Sequence, residues 1–174
     1  MLLEKIFEEI DKRQDEMVKH RRHIHKNAEL SFEEVETAAY VADFYKDKDV
    51  EVTKNMGGNG LRVVIDTKKP GKTIALRADF DALPIHEETG LPFASRHDGV
   101  MHACGHDAHT AYLMVLADIL NEKKDKLRGK IVIIHQHAEE APPGGAKQMI
   151  EAGVLEGVDN VFGIHVIQAC PLEQ

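Results

Sequence analysis

The segment Gly129-Lys-Ile-Val-Ile-Ile134 is a run of branched apolar residues with no polar alternation. A strand with one wet face alternates apolar and polar side chains. An unbroken run needs cover on both faces, which is the pattern of a central strand in a sheet layered between helices. The chain supplies such cover just upstream: Ala108 to Leu120 reads Ala-His-Thr-Ala-Tyr-Leu-Met-Val-Leu-Ala-Asp-Ile-Leu, a nearly all-apolar helix expected to be buried on most sides.

The flanking segments alternate in the same way. Leu2, Leu3, Ile6, Phe7, Ile10, Met17 and Ile24 recur at helical spacing, so residues 2 to about 26 read as one amphipathic helix stopped by Asn27. Ser31-Phe-Glu-Glu34 fits a capping box opening a second helix to about Tyr45. Residues 50–53, Leu61 to Asp66 and Thr73 to Arg77 read as strands, the last two joined by a Lys68-Lys-Pro-Gly71 turn. Gly145 to Ala152 starts a further helix and Asn160 to His165 a further strand. The expected class is α/β, with a three-layer α/β/α core. From Asp81 to Met101 no periodicity survives, and long irregular segments inside compact domains usually carry function.

That irregular segment delivers the chain to His102-Ala-Cys-Gly-His-Asp-Ala-His-Thr110. A thiol, imidazoles and a carboxylate stand together there. Cys104 and His106 are the donors that zinc and late first-row metals take, and Gly105 between them lets the backbone turn both onto one ion. Adjacent carboxylates, Glu139 and Glu140, follow the apolar strand and precede Pro-Pro-Gly-Gly, while Gly163-Ile-His165 ends another strand. Donor-rich strand and loop ends suggest one shared site. If the chain is extended at Glu139 and Glu140, one carboxylate can ligate while the other faces water. His135 and His137 are expected to share a strand face without ligating, and His23 and His25 to fix a helix junction.

The ordered motifs Arg21-Arg-His-Ile-His-Lys-Asn-Ala-Glu-Leu-Ser-Phe-Glu-Glu34, Arg77-Ala-Asp-Phe-Asp-Ala-Leu-Pro84, Cys104 to His109, His137-Ala-Glu-Glu140, Gly144-Gly-Ala-Lys147 and Gly163-Ile-His165 resemble the metal-dependent amidohydrolases of the aminoacylase and carboxypeptidase type. Within that group they are similar to the branch of hippurate hydrolase, auxin-conjugate hydrolases and N-acyl-L-amino-acid amidohydrolases. The resemblance implies a zinc-peptidase-like catalytic domain with two divalent metal ions, zinc, manganese, cobalt or nickel. Cys104 would bridge them, His106 and Glu140 would join it on one ion, and His165 on the other. Glu139 would be the general base, Asp79 would be counted with it among the catalytic residues, and Asp79 and Asp81 would act as carboxylates that orient the ligands. Arg77 replaces a ligand histidine found in other branches and cannot ligate a cation. His109 would orient the ligands or the substrate.

The substrate implied is an N-acyl amino acid or a dipeptide. Relatives of this kind are roughly twice as long, so residues 1–174 are expected to be the N-terminal part of the catalytic domain, without the inserted dimerisation domain and the C-terminal remainder. That expectation leaves Lys130 to Ile134 or its neighbours at an unpaired sheet edge, and it suggests self-association or a complementing C-terminal half.

Composition bounds the remaining classes. A net charge of −8 argues against nucleic acid, and the acidic residues within Met1-Leu-Leu-Glu-Lys-Ile-Phe-Glu-Glu-Ile10 fit neither a signal peptide nor a membrane span. Two cysteines make no disulfide framework, and a reducing cytoplasm is the expected location.

Overall fold

The computed structural model describes residues 1–166. Cys170 lies outside them. Strands β1 (Glu51–Thr53), β2 (Leu61–Asp66), β3 (Thr73–Asp79), β4 (Lys130–Gln136) and β5 (Asn160–Gly163) form one mixed sheet in the order β1-β2-β4-β3-β5. β4 runs antiparallel to β2 and parallel to β3, and β5 adds parallel to β3. Helices α1 (Leu2–Lys12), α2 (Gln14–Lys26), α3 (Val35–Phe44), α4 (His106–Glu122) and α5 (Gly145–Glu151) complete the architecture.

The apolar run takes the central place that its composition demands. Ile131 and Ile133 pack with Val63, Ile65, Ile24, Val41, Leu113 and Met114 in the core beneath α2, α3 and α4. Val132 and Ile134 point the other way, with Val64, Ala75, Met149 of α5 and Val154. The sheet therefore lies between two helical layers, the second represented by α5 and the turns after it. Burying each of these branched side chains contributes roughly 1.5–3 kcal/mol, so a strand apolar on both faces is most stable where helices cover both.

The arrangement of helices and strands departs from the sequence reading in four places. The N-terminal helix is two helices, because Arg13 leaves helical geometry (φ −101°, ψ 15°). The apolar stripe lapses over Asp11-Lys-Arg-Gln-Asp-Glu16, and the break lets the Arg13 guanidinium reach Asp118 on α4 at 2.7 Å. Secondly, the turn that joins β2 and β3 does not pair them with each other, since β4 inserts between them. Thirdly, the capping box does not form. The first amides of α3 are capped by Glu29, whose carboxylate accepts the Thr37 N–H at 2.7 Å, and this leaves Ser31 and Glu34 free to bond elsewhere. Finally, β4 is paired on both sides, and the edge strands are β1 and β5. On β5 the apolar side chains of Val161 and Phe162 are half exposed, as is that of Val166 beyond its end, with Ile164 more exposed still.

Among the described residues, no helix is long and apolar enough to cross a membrane.

Candidate metal centre

Because β3, β4 and β5 are parallel, their C-terminal ends open on the same side of the sheet, where ligands of α/β folds bind. Asp79 and Asp81 come from the end of β3, Glu139 and Glu140 from beyond β4, and His165 from beyond β5. The N-terminus of α4 brings His106 into the same crevice. Gly105 makes this possible, since it adopts the left-handed conformation (φ 84°) that turns Cys104 and His106 towards each other. A pocket of about 670 Å³ opens beside them, lined in part by Arg21, Leu83, His102, Cys104, Glu140 and His165.

One donor atom each from Cys104, His106 and Glu140 lies within 4.8 Å of the others. Asp79, His106, His109 and His165 form a second group with the same spread. His106 donates from Nδ1 to Asp81 Oδ1 (3.1 Å), so its Nε2 lone pair faces the cluster, 3.6 Å from Glu140 Oε1. Both His106 Nε2 and Glu140 Oε1 are buried without a hydrogen-bond partner. Two acceptors left empty face to face are costly in a protein interior and are the arrangement that a cation would satisfy. His165 has a comparable arrangement. Its Nδ1 donates to the Val166 carbonyl at 2.6 Å, and its Nε2 lies 3.6 Å from Cys104 Sγ.

Glu139 and Glu140 do not lie on an extended strand. Ala138 takes a positive φ of 47°, the chain bends, and both carboxylates approach His106 Nε2, at 3.8 and 3.6 Å. They differ in environment, Glu139 being 39% exposed and Glu140 21%. His135 and His137 also part company, since β4 ends at Gln136 and His137 lies beyond it. The His135 ring meets the Tyr45 hydroxyl inside the core, whereas His137 bonds Gln148 of α5, so the two share no face.

Asp79 is fully buried. Its Oδ1 accepts from His109 Nδ1 (2.7 Å), and its Oδ2 pairs with the Arg77 guanidinium (2.6 Å). Burial raises its pKa, but His109, His106 and Arg77 together bring it below the usual carboxylate value. His109 Nε2 accepts the Val166 N–H at 3.0 Å. Burial opposes ionisation of Asp81 as well, yet His106, the Glu140 N–H and the Ser31 hydroxyl hold it at about 2. Burial also works against a charged His106 ring, and Asp81, Asp79 and Glu140 outweigh it and raise its pKa. The Cys104 thiol is pushed up to about 12 by burial and by Glu140, Glu139 and Asp79. A thiol hemmed by carboxylates becomes a thiolate only when a cation joins them.

Several supports escaped the sequence reading. Asp107 at the start of α4 accepts from His25 Nδ1 (2.9 Å) and Arg21 Nε (3.1 Å), which ties α2 to the start of α4 and gives His25 a junction role. His23 stacks on Tyr40. Ser31 donates to Asp81 Oδ2, and Glu34 accepts the Ala138 N–H, both at 2.7 Å. The ring nitrogens of buried His102 have no partner, and burial lowers its pKa to about 4.

Residues 75–174 match the peptidase family M20/M25/M40. The chain is 50% identical over 145 residues to N-acetyl-L-cysteine deacetylase of Bacillus subtilis, covering 83% of this chain and 35% of that protein. It is 43% identical over 175 residues to N-acyl-L-amino acid amidohydrolase of Geobacillus stearothermophilus, covering 100% and 46%. A protein of known structure from methicillin resistant Staphylococcus aureus superposes with a TM-score of 0.93 at 61% identity, over 94% of this chain and 42% of that one. Bacillus subtilis YXEP, described as a dinuclear metal binding peptidase from the M20 family, superposes with a TM-score of 0.83 at 43% identity, over 89% and 44%. The chain thus spans less than half the length of these relatives. On the family match, and with a fold shared with these structures, the chain belongs to the peptidase family M20/M25/M40.

Proposed function

We propose that this chain is the N-terminal part of the catalytic domain of a cytoplasmic amidohydrolase that cleaves the amide bond of N-acyl amino acids or dipeptide-like substrates. The observation that carries the reading is the pair of empty, buried acceptors, His106 Nε2 and Glu140 Oε1, set beside Cys104. The names of the amidohydrolase and deacetylase relatives support the substrate class.

Cys104, His106 and Glu140 would hold one divalent ion, with Cys104 shared and His165 joining it on a second. A thiolate, imidazole and carboxylate set fits zinc, manganese, cobalt or nickel. When bound, such ions polarise a carbonyl and lower the pKa of a water between them. The chain's own residues do the rest. Glu139, the more exposed carboxylate, takes the proton of the attacking water and returns it to the leaving amine. Asp79 fixes His109 through Nδ1 and pairs with the Arg77 guanidinium. The substrate carboxylate is gripped mainly by parts that the relatives carry beyond this length.

A second reading, a metal-binding piece that needs a complementing C-terminal half or self-associates, is favoured by the exposed apolar residues along β5. The test is metal content of the purified chain by mass spectrometry, together with hydrolysis of N-acetyl and N-benzoyl amino acids. Glu139→Gln keeps size and polarity without accepting a proton. It should retain metal while losing on the order of 10²–10⁴-fold in turnover. Equal loss of metal and turnover would make Glu139 a ligand and exchange the roles of the two glutamates. A chain that takes up no divalent metal refutes the proposal.

A further inference from the structure

The bend that carries Glu139 and Glu140 is held by a residue far away in sequence. Ala138 is fully buried and adopts φ 47°, a left-handed conformation disfavoured for a residue with a Cβ. Such backbone persists only where its surroundings over-determine it. Ala138 is clamped at both ends of its peptide groups. Its N–H donates to Glu34 Oε1 at 2.7 Å, and its carbonyl accepts the Gly145 N–H at 2.7 Å.

Glu34 is itself 0% exposed. Its other oxygen accepts from Asn59 Nδ2 at 3.0 Å, so both oxygens of a buried carboxylate are spent holding one loop. Removing a carboxylate from water is costly unless charge-assisted hydrogen bonds replace the lost hydration. Here the donor of the shorter bond is the amide of the residue immediately before Glu139. Asp81 repeats the device two residues later, its Oδ2 accepting the Glu140 N–H at 2.9 Å. The two acidic side chains at the crevice therefore stand on a backbone gripped by two buried carboxylates.

We propose that Glu34 is a positioning residue: by holding the Ala138 N–H it fixes the chain reversal that aims Glu139 at the reacting water and Glu140 at the ion. This rests on the roles given to Glu139 and Glu140 above. Glu34 touches neither substrate nor metal.

The test uses the full chain and the variants E34Q, E34A, A138G and E34A/A138G. The amide introduced by E34Q keeps an oxygen for the Ala138 N–H, and Asn59 can turn its own amide to meet the new NH2 at the loss of its 3.2 Å bond to the Phe32 carbonyl. Glycine adopts the left-handed conformation without penalty. Three readouts are taken: hydrogen exchange at the amides of residues 138–140, Co(II) affinity from the thiolate-to-cobalt absorption band, and kcat separately from KM on an N-acetyl amino acid. In E34A the Ala138 amide should lose protection, Co(II) should bind about 10-fold more weakly, and kcat should fall roughly 10–100-fold at nearly constant KM, the range seen when the partners of ligands are removed. E34Q should stay within a few-fold of wild type, and A138G should recover part of the E34A loss.

An E34A chain with a protected Ala138 amide, or with unchanged Co(II) affinity, overturns the proposal. So does equal damage in E34Q and E34A, which would show a general need for the charge. Should E34A fail to fold, E34Q and A138G still decide: an E34Q chain that is fully folded yet as impaired as E34A is expected to be refutes the positioning role. A wild-type chain that binds Co(II) but turns nothing over refutes the hydrolytic reading alone, leaving exchange and cobalt binding to judge the clamp. A wild-type chain that binds no Co(II) removes both.

Discussion

His135 should make the metal-free fold measurably acid-sensitive. The ring is fully buried at the end of β4, with Nε2 2.9 Å from the Tyr45 hydroxyl and Nδ1 without a partner. Burial holds its pKa down to about 3, against an ordinary value near 6.5. Since the folded pKa is depressed, the unfolded chain binds a proton that the folded chain refuses anywhere between those two values. Stability therefore falls as pH drops through 6.5, by about 1.4 kcal/mol per unit, until the folded pKa is reached. From pH 6.5 to 4.5 that amounts to about 2–3 kcal/mol, a large share of the ~5–15 kcal/mol of a typical domain. His102, lowered to about 4 by burial, adds to the slope in the same window. His25 has a raised pKa, with Asp107 overcoming burial, and His106 is raised as well. Both are protonated in either state below 6.5, so their stabilising contributions are fully present there and are lost only as pH rises through their folded values. The carboxylate of Asp81, held at about 2, begins to matter only below pH 4. The assay is urea unfolding with chelator at pH 6.5 and 4.5, for wild type and His135→Gln, whose amide can still meet Tyr45. The variant should lose about 2–3 kcal/mol less than wild type between the two pH values. Equal losses in the two proteins would refute the argument that a neutral buried imidazole sets this slope.

Two further outcomes are expected. Gly105→Ala places a Cβ against the Val166 side chain on a residue with φ 84°, so it should destabilise by roughly 1–2 kcal/mol and weaken Co(II) binding; an unchanged unfolding midpoint and affinity would remove Gly105 from the site's design. Phe162→Lys puts a charge on the exposed β5 edge and should shift sedimentation velocity profiles of the chain towards monomer, whereas identical profiles would show that any self-association uses another surface.

What could be read from the sequence was whatever is encoded locally. The β4 run and the α4 helix announce themselves through composition and period, and Cys104, His106 and the paired glutamates through donor chemistry at short spacing. The structure brings the donors of Cys104, His106 and Glu140 within 4.8 Å of one another, and the Cys104 Sγ within 3.6 Å of His165 Nε2. What escaped depends on partners distant in the chain. Ser31-Phe-Glu-Glu34 has the local form of a capping box, but Glu29 takes the helix amides, and Ser31 and Glu34 bond Asp81 and Ala138, 50 and 104 positions away. Strand order escaped for the same reason. A turn between β2 and β3 looks like a hairpin until the more apolar β4 displaces one strand from the other. The bend at Ala138 had no signal, because nothing about an alanine advertises φ 47°.

The charge distribution explains why the supports are as acidic as the site. Asp79, Asp81, Glu139 and Glu140 crowd around His106, with the guanidinium of Arg77 engaged by Asp79 and Gln136. In the metal-free chain this surplus is met by keeping Cys104 protonated, its thiol pushed up to about 12, and by raising the pKa of His106. A divalent cation held beside Cys104 would displace the thiol proton and satisfy the two empty acceptors, so its binding would release a proton and stabilise the fold at once. Metal affinity and fold stability are then one linked quantity. Asp81 and Glu34, though they ligate nothing, act on both, because they hold the backbone on which Glu140 and Glu139 stand.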